Sequence, residues 1–166
     1  MKADKVYLIG FMGAGKTTVA RALAKRLHWR AEDIDERIER REQRDIPTIF
    51  RQSGEAYFRA LERQELLDLL DSRGVVVATG GGTAADPANR ALMLRDGAVA
   101  WLDLPLARVL ERIPADGRRP LAADRVEMER LYNLRRAAYE QAHARFDVSR
   151  AAVDDVVEQL ADWLGH

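Results

Sequence analysis

The chain has no cysteine, which excludes disulfides, thiolate catalysis and cysteine-ligated zinc or iron–sulfur clusters. Histidine is scarce as well, and His28, His143 and His166 stand without metal-ligand spacing. No run approaches the roughly 18 apolar residues of a membrane span, and the amino terminus lacks the apolar core of a signal peptide. A cytoplasmic protein with no membrane partner is the expectation. Net charge is also missing, since 27 acidic residues cancel 27 basic ones; bulk electrostatics therefore give no case for a nucleic-acid partner. Lysine is rare, at four of the 27 basic residues, so a lysine at a motif position is there for its shape. The 166 residues suit one domain, 1–166, without repeat, linker or low-complexity tract. Function has to reside in local sites.

What is present starts at Val6-Tyr7-Leu8-Ile9, which runs into Gly10-Phe11-Met12-Gly13-Ala14-Gly15-Lys16-Thr17, a complete G-x-x-x-x-G-K-T loop followed by Thr18. The four apolar residues read as a strand buried on both faces, and Val19, Ala20, Leu23, Ala24 and Leu27 then recur at helical spacing. Between strand and helix, backbone N–H groups and the helix dipole converge on an anion. Lys16 suits the β- and γ-phosphates, and the Thr17 hydroxyl suits Mg²⁺. A nucleoside triphosphate is the implied ligand.

Further along, a short strand leads to Asp33-Ile34-Asp35 and then to a charged run, Glu36 to Asp45, expected to be a water-facing helix. Acids at the carboxyl end of a parallel strand lie where open sheets bind ligands. Asp33 is a candidate for outer-sphere support of Mg²⁺. Asp35 suits either contact with a phosphoryl acceptor or a plain helix N-cap, and the pattern leaves both open. A helix from Glu55 to Leu70 carries Arg59 between Glu55 and Glu62, spacing that by itself slightly favours a surface ion pair.

Val75 to Ala78 is a second buried strand, ending in Thr79-Gly80-Gly81-Gly82-Thr83. Three glycines there point to close backbone approach by a ligand. Asp86-Pro87 starts a helix, and Ala98 to Asp103 is a third buried strand whose Asp103 competes with Asp33 for the metal role. Residues 114–120, with Arg118 and Arg119, read as a lid candidate in which Arg119 either reaches a phosphate or is simply solvated. The longest helical pattern runs from Asp124 to about Arg145. Arg135 falls on its apolar face and needs an anionic partner or must snorkel. Phe146 to Ser149 reads as a short strand, and Val153 to Leu164 as a closing helix. Alternating strands and helices give an α/β domain with a parallel sheet.

Taken in chain order, the phosphate loop, Asp33-Ile34-Asp35, Gly54-Glu55 with Phe58-Arg59, Gly80-Gly81-Gly82, Arg119-Pro120-Leu121 and Arg135 followed by Tyr139 closely resemble the shikimate kinase family over nearly the whole chain. The resemblance implies a P-loop nucleoside-monophosphate-kinase-like fold, a five-stranded parallel sheet flanked by helices with a mobile lid at about 114–123 and a substrate-binding region at about 33–62. It implies ATP-dependent phosphorylation of the shikimate 3-hydroxyl, in aromatic amino acid biosynthesis, by a monomer using ATP and Mg²⁺. By the same resemblance, Gly13, Ala14, Gly15, Lys16, Thr17 and Thr18 bind the nucleotide, with Arg112 near adenine and Arg119 on the transferring phosphoryl group. Thr17 and Asp33 serve the metal. Asp35 holds the reacting hydroxyls, Arg59 and Arg135 grip the substrate carboxylate, Glu62 supports Arg59, and Gly80, Gly81 and Gly82 offer backbone contacts. Two departures from the family pattern are Ala137-Ala138, where proline-leucine is usual, and His143, where a small residue is common. Losing the proline straightens the helix and bears on the aim of Arg135.

Alternatives are a kinase for another small acceptor such as gluconate or a nucleoside monophosphate, and a catalytically silent nucleotide-binding homologue. A GTP-binding switch is disfavoured, because the chain has no N-K-x-D or T-K-x-D motif.

Overall fold

Three runs of apolar residues form the middle of the sheet: β1 (Lys5–Ile9), β3 (Val75–Ala78) and β4 (Ala98–Asp103), every residue of which is buried. Covering by helices on both faces is what permits such unalternating strands. The computed structural model describes residues 2–111 and 122–166, with side chains from residue 125 onward in the second stretch. The edges are β2 (Arg30–Asp33) and β5 (Ala144–Asp147), both half-exposed and rich in charge. The five strands are parallel in the order β2-β3-β1-β4-β5. Their carboxyl ends therefore all open on one side, and β1 carries the phosphate loop there.

The helices are α1 (Lys16–Leu27), α2 (Ile34–Glu42), α3 (Ile46–Ser53), α4 (Glu55–Asp68), α5 (Pro87–Asp96), α6 (Leu106–Glu111), α7 (Ala122–Tyr139) and α8 (Val153–Trp163). The expected apolar stripe of α1 is buried in full, from Val19 to Leu27, and α1 packs beside α8. Asp86 caps α5 through the N–H groups of Ala88 and Asn89, and Pro87 follows at the first helical position.

Three expectations change. The charged run is not wholly a water-facing surface: Ile38 is buried, and Arg37 and Arg41 both reach Glu65, itself buried on α4, at 2.8 and 2.9 Å. Those pairs tie α2 to α4. The helix expected to reach Arg145 ends at Tyr139, and β5 starts two residues earlier than Phe146. The reason is sheet pairing: His143 donates its N–H to Val99 O and its ring Nδ1 accepts the Val99 N–H at 2.9 Å, so the chain is already docked on β4 before the strand begins. Through Ala137 and Ala138, α7 runs without a break, as loss of the proline leads one to expect.

Candidate active site

Lys16 is the first residue of α1, and Gly15 before it is the N-cap with φ 83°, a left-handed conformation that glycine adopts without strain. No side chain caps this helix and no acid stands in its first turn, so its leading N–H groups and dipole serve the cleft. Lys16 Nζ donates to the carbonyls of Gly10 and Phe11 at 2.5 and 3.1 Å. Burial lowers its pKa to about 8, with Asp35 and Asp33 opposing that shift. Gly13, Gly15, Lys16, Thr17 and Thr18 line a cleft of about 330 Å³ together with Asp33, Asp35, Gly80 and Gly81. Ala14 instead turns inward: it is buried, and its N–H donates to Phe11 O.

The two acids at the carboxyl end of β2 divide their work. Asp33, not Asp35, is the N-cap of α2, accepting the Glu36 N–H at 3.0 Å through Oδ1, while its Oδ2 accepts the Thr17 hydroxyl at 2.5 Å. That corrects the capping alternative for Asp35. The boundary lies two residues earlier because Asp33 is still extended and paired with Ala78 of β3. Asp35 sits one residue into the helix, with its side chain free of any capping task. Its Oδ1 is buried and has no hydrogen-bond partner among the described residues. Burial, then the nearby charges of Asp33 and Glu62, push its carboxyl up to about 6.

Asp103 does not line the cleft that Thr17 and Asp33 share. It is buried at the end of β4 and accepts from Arg145 Nε at 2.6 Å. Among the described residues no cluster of three or more metal-ligating side chains exists. The adjacent Thr17 hydroxyl and Asp33 carboxylate nevertheless fit Mg²⁺, which takes few protein ligands and completes its shell with phosphate and water.

The glycine loop after β3 is packed by the site's own side chains. A Cβ on Gly80 would lie 2.9 Å from Asp35 Oδ1, and one on Gly82 would lie 2.6 Å from Arg59 Nη2. Gly81 faces Arg135 Nη1 at 3.1 Å from the corresponding point, and the Tyr139 hydroxyl donates to Gly81 O. The loop thus gathers α2, α4 and α7. Arg59 Nη1 bonds both oxygens of Glu62 at 3.0 and 3.2 Å, and its Nε lies 3.5 Å from Glu55. Glu62 is fully buried, which corrects the reading of a surface ion pair; a buried carboxylate holds the guanidinium in one pose. Arg135 is half-buried, 5.8 Å over the Phe11 ring, and has no carboxylate partner among the described residues.

Arg112, Arg119 and the expected lid lie outside the described residues, apart from the first residues of α7. Sequence reasoning missed Thr83, whose buried hydroxyl bonds Gly80 N–H and Glu62. It also missed Phe11 as the surface under Arg135. The only signal for Thr83 was its place beside three glycines.

Comparisons with known proteins agree with one another. The shikimate kinase family model matches residues 12–165. A shikimate kinase of Persephonella marina is 42% identical over 156 residues, 93% of this chain and 95% of that protein. Shikimate kinase from Acinetobacter baumannii, solved in complex with shikimate, superposes with a TM-score of 0.89 at 33% identity, covering 97% of this chain and 92% of that one. Shikimate kinase from Aquifex aeolicus gives a TM-score of 0.87 at 34% identity, covering 98% and 99%.

Proposed function

The chain belongs to the shikimate kinase family, and from that premise we propose that it phosphorylates the 3-hydroxyl of shikimate with ATP and Mg²⁺, giving shikimate 3-phosphate and ADP. Phosphoryl transfer passes through a loose, charge-rich transition state, so positioning and electrostatics do most of the catalysis. Magnesium-bound ATP supplies the phosphoryl group and, through the metal, neutralises charge on it. Lys16 is the cation for the phosphate oxygens, and Thr17 with Asp33 would hold the metal, directly and through water.

One observation carries the acceptor assignment: Asp35 keeps a buried oxygen without a hydrogen-bond partner among the described residues, in the cleft lined by the phosphate loop, beside the glycine loop that Arg59 and Arg135 face. A buried acceptor atom left unmet is costly, and a hydroxyl of the substrate would satisfy it. With a pKa near 6, Asp35 is ionised at neutral pH yet basic enough to orient that hydroxyl and take its proton. Arg59, preset by Glu62, and Arg135, with no carboxylate partner among the described residues, would take the substrate carboxylate in the planar, bidentate geometry that suits guanidinium. Gly80, Gly81 and Gly82 bring backbone close to the acceptor. Arg119 would act on the phosphoryl group from a lid at about 114–123, and Arg112 near adenine. We infer a monomer, and no helix among the described residues is long and apolar enough to cross a membrane. We infer a cytoplasmic enzyme.

A coupled ADP-release assay over shikimate, gluconate and nucleoside monophosphates tests the reading. Turnover is expected with shikimate alone. Comparable kcat/KM with gluconate or a nucleotide acceptor would overturn it, as would no turnover with any. Replacing the shikimate carboxylate by a hydroxymethyl group should lower kcat/KM by roughly two to four orders of magnitude, the loss of several charge-assisted hydrogen bonds.

A further inference from the structure

Thr83 opens the short 3₁₀ turn Thr83–Ala85 that follows the glycine loop, and its side chain is 0% exposed. Its hydroxyl uses both of its capacities. Oγ1 donates to Glu62 Oε2 at 2.8 Å and accepts the Gly80 N–H at 2.9 Å. Both partners lead into the acceptor site: Glu62 holds Arg59 through two oxygens, and Gly80 is the residue against which Asp35 Oδ1 lies. Through one hydroxyl, the guanidinium and the carboxylate that face the acceptor are put in register.

The turn has further holds besides that hydroxyl. The Asn89 side-chain amide donates to Thr83 O at 3.2 Å and is itself held by Arg63 at 3.2 Å, while Arg90 donates to Ala84 O at 2.9 Å. Two side chains of α5 therefore grip the backbone of this segment, one of them braced by Arg63 of α4. The hydroxyl is therefore one hold among several on this segment, and the one that reaches Glu62.

We propose that Thr83 is a positioning residue for acceptor binding, fixing the Glu62 carboxylate against the glycine loop so that Arg59 presents its free edge to the substrate carboxylate. The proposal rests on the shikimate kinase reading above. Without the hydroxyl, Glu62 keeps its bond to Arg59 but loses the contact that fixes its rotation, and the pair can swing as a unit. Arg59 then has to be ordered by the substrate, which raises KM for shikimate and leaves the phosphate loop untouched.

The test is steady-state kinetics with both substrates on Thr83→Val, which keeps the shape, and Thr83→Ser, which keeps the hydroxyl. Thr83→Val should raise KM for shikimate by roughly tenfold, with kcat within about threefold and KM for ATP within about twofold of the parent, as for removal of one hydrogen bond to a charged group. Thr83→Ser should stay within about twofold throughout. On an Arg59→Lys background, Thr83→Val should add less than about twofold, because its effect travels through Arg59. An unchanged KM for shikimate in Thr83→Val, an equal rise in KM for ATP, or a Thr83→Ser as impaired as the valine variant would each overturn the proposal. If Thr83→Val does not fold by circular dichroism, Thr83→Ala replaces it under the same criteria. Parent enzyme that fails to turn over shikimate overturns the functional reading itself. Normal parent turnover with an indifferent Thr83→Val overturns this inference alone.

Discussion

The two ends of the sheet bury the same kinds of group and treat them in opposite ways. At the amino end, Lys5 is 0% exposed, but its Nζ lies 2.6 Å from Asp96 and also donates to Leu69 O. The Tyr7 hydroxyl donates to Asp96 at 2.5 Å, and Arg73 adds a second cation at 3.3 Å. Burial alone would raise the Asp96 carboxyl; its bonds from Lys5 and Tyr7 more than offset that and hold it low. At the carboxyl end, Asp35 is half-buried with its buried Oδ1 unmatched among the described residues, and its carboxyl is pushed up. Burial of charge is tolerated where it is paired. Where it is left unpaired, we read the missing partner as a ligand, for which the site gives up stability to keep its place open.

Breaking the closed set should have the largest effect. Lys5→Met removes one partner of a buried ion pair and should cost about 3–5 kcal/mol of stability in urea titrations, while both KM values of the folded enzyme stay unchanged. A shift in KM for shikimate would mean that the two ends are coupled. At the open end, Lys16→Met should lower kcat at least a hundredfold, about 3 kcal/mol at the transition state, with no loss of thermal stability. A variant that keeps a tenth of the parent turnover would remove Lys16 from the chemistry.

Asp35→Asn sharpens the contrast, since it should harm activity and help the fold. We expect kcat to fall by about two orders of magnitude. For stability, a carboxyl raised in the folded state favours folding below its unfolded pKa, about 3.9, and that contribution disappears as pH rises through 6. At pH 8 the variant should therefore be more stable than the parent by on the order of 2 kcal/mol, and near pH 3 the difference should vanish. Equal stability at pH 8 would show that Asp35 is not desolvated. The smallest effect is a pH profile: kcat/KM for shikimate should fall below an apparent pKa near 6. An acid limb near 4 would return Asp35 to an ordinary solvated carboxylate.

Much of this contrast was legible in the chain, but unevenly. The phosphate loop was readable because its residues are consecutive and the loop geometry is local. The inner strands were readable because burial on both faces leaves an unbroken apolar run, and Asp86-Pro87 announced α5 by local capping chemistry. Asp33 and Asp35 were both flagged, yet their tasks were not separable, since the helix start depends on pairing between β2 and β3. Glu62 was readable by helical spacing as a partner of Arg59. Whether that meant a surface pair or a buried anchor depended on Thr83, which lies 21 positions away. Arg135 was readable as an arginine on an apolar face, and the Phe11 ring beneath it was not.

The sequence by itself determined the elements that local patterns encode: which runs are inner strands, where the phosphate loop turns into α1, and which acids stand at strand ends. Only the tertiary structure decided which of those acids keeps a buried oxygen without a partner among the described residues. That outcome depends on strand order and on helices meeting at one loop. Gly80, Gly81 and Gly82 are crowded by Asp35 of α2, Arg135 of α7 and Arg59 of α4, three helices that no local rule brings together. Satisfaction of a buried polar atom is a property of everything around it. A linear pattern can nominate such an atom, and packing alone determines whether its last hydrogen bond is made inside the protein or reserved for a ligand.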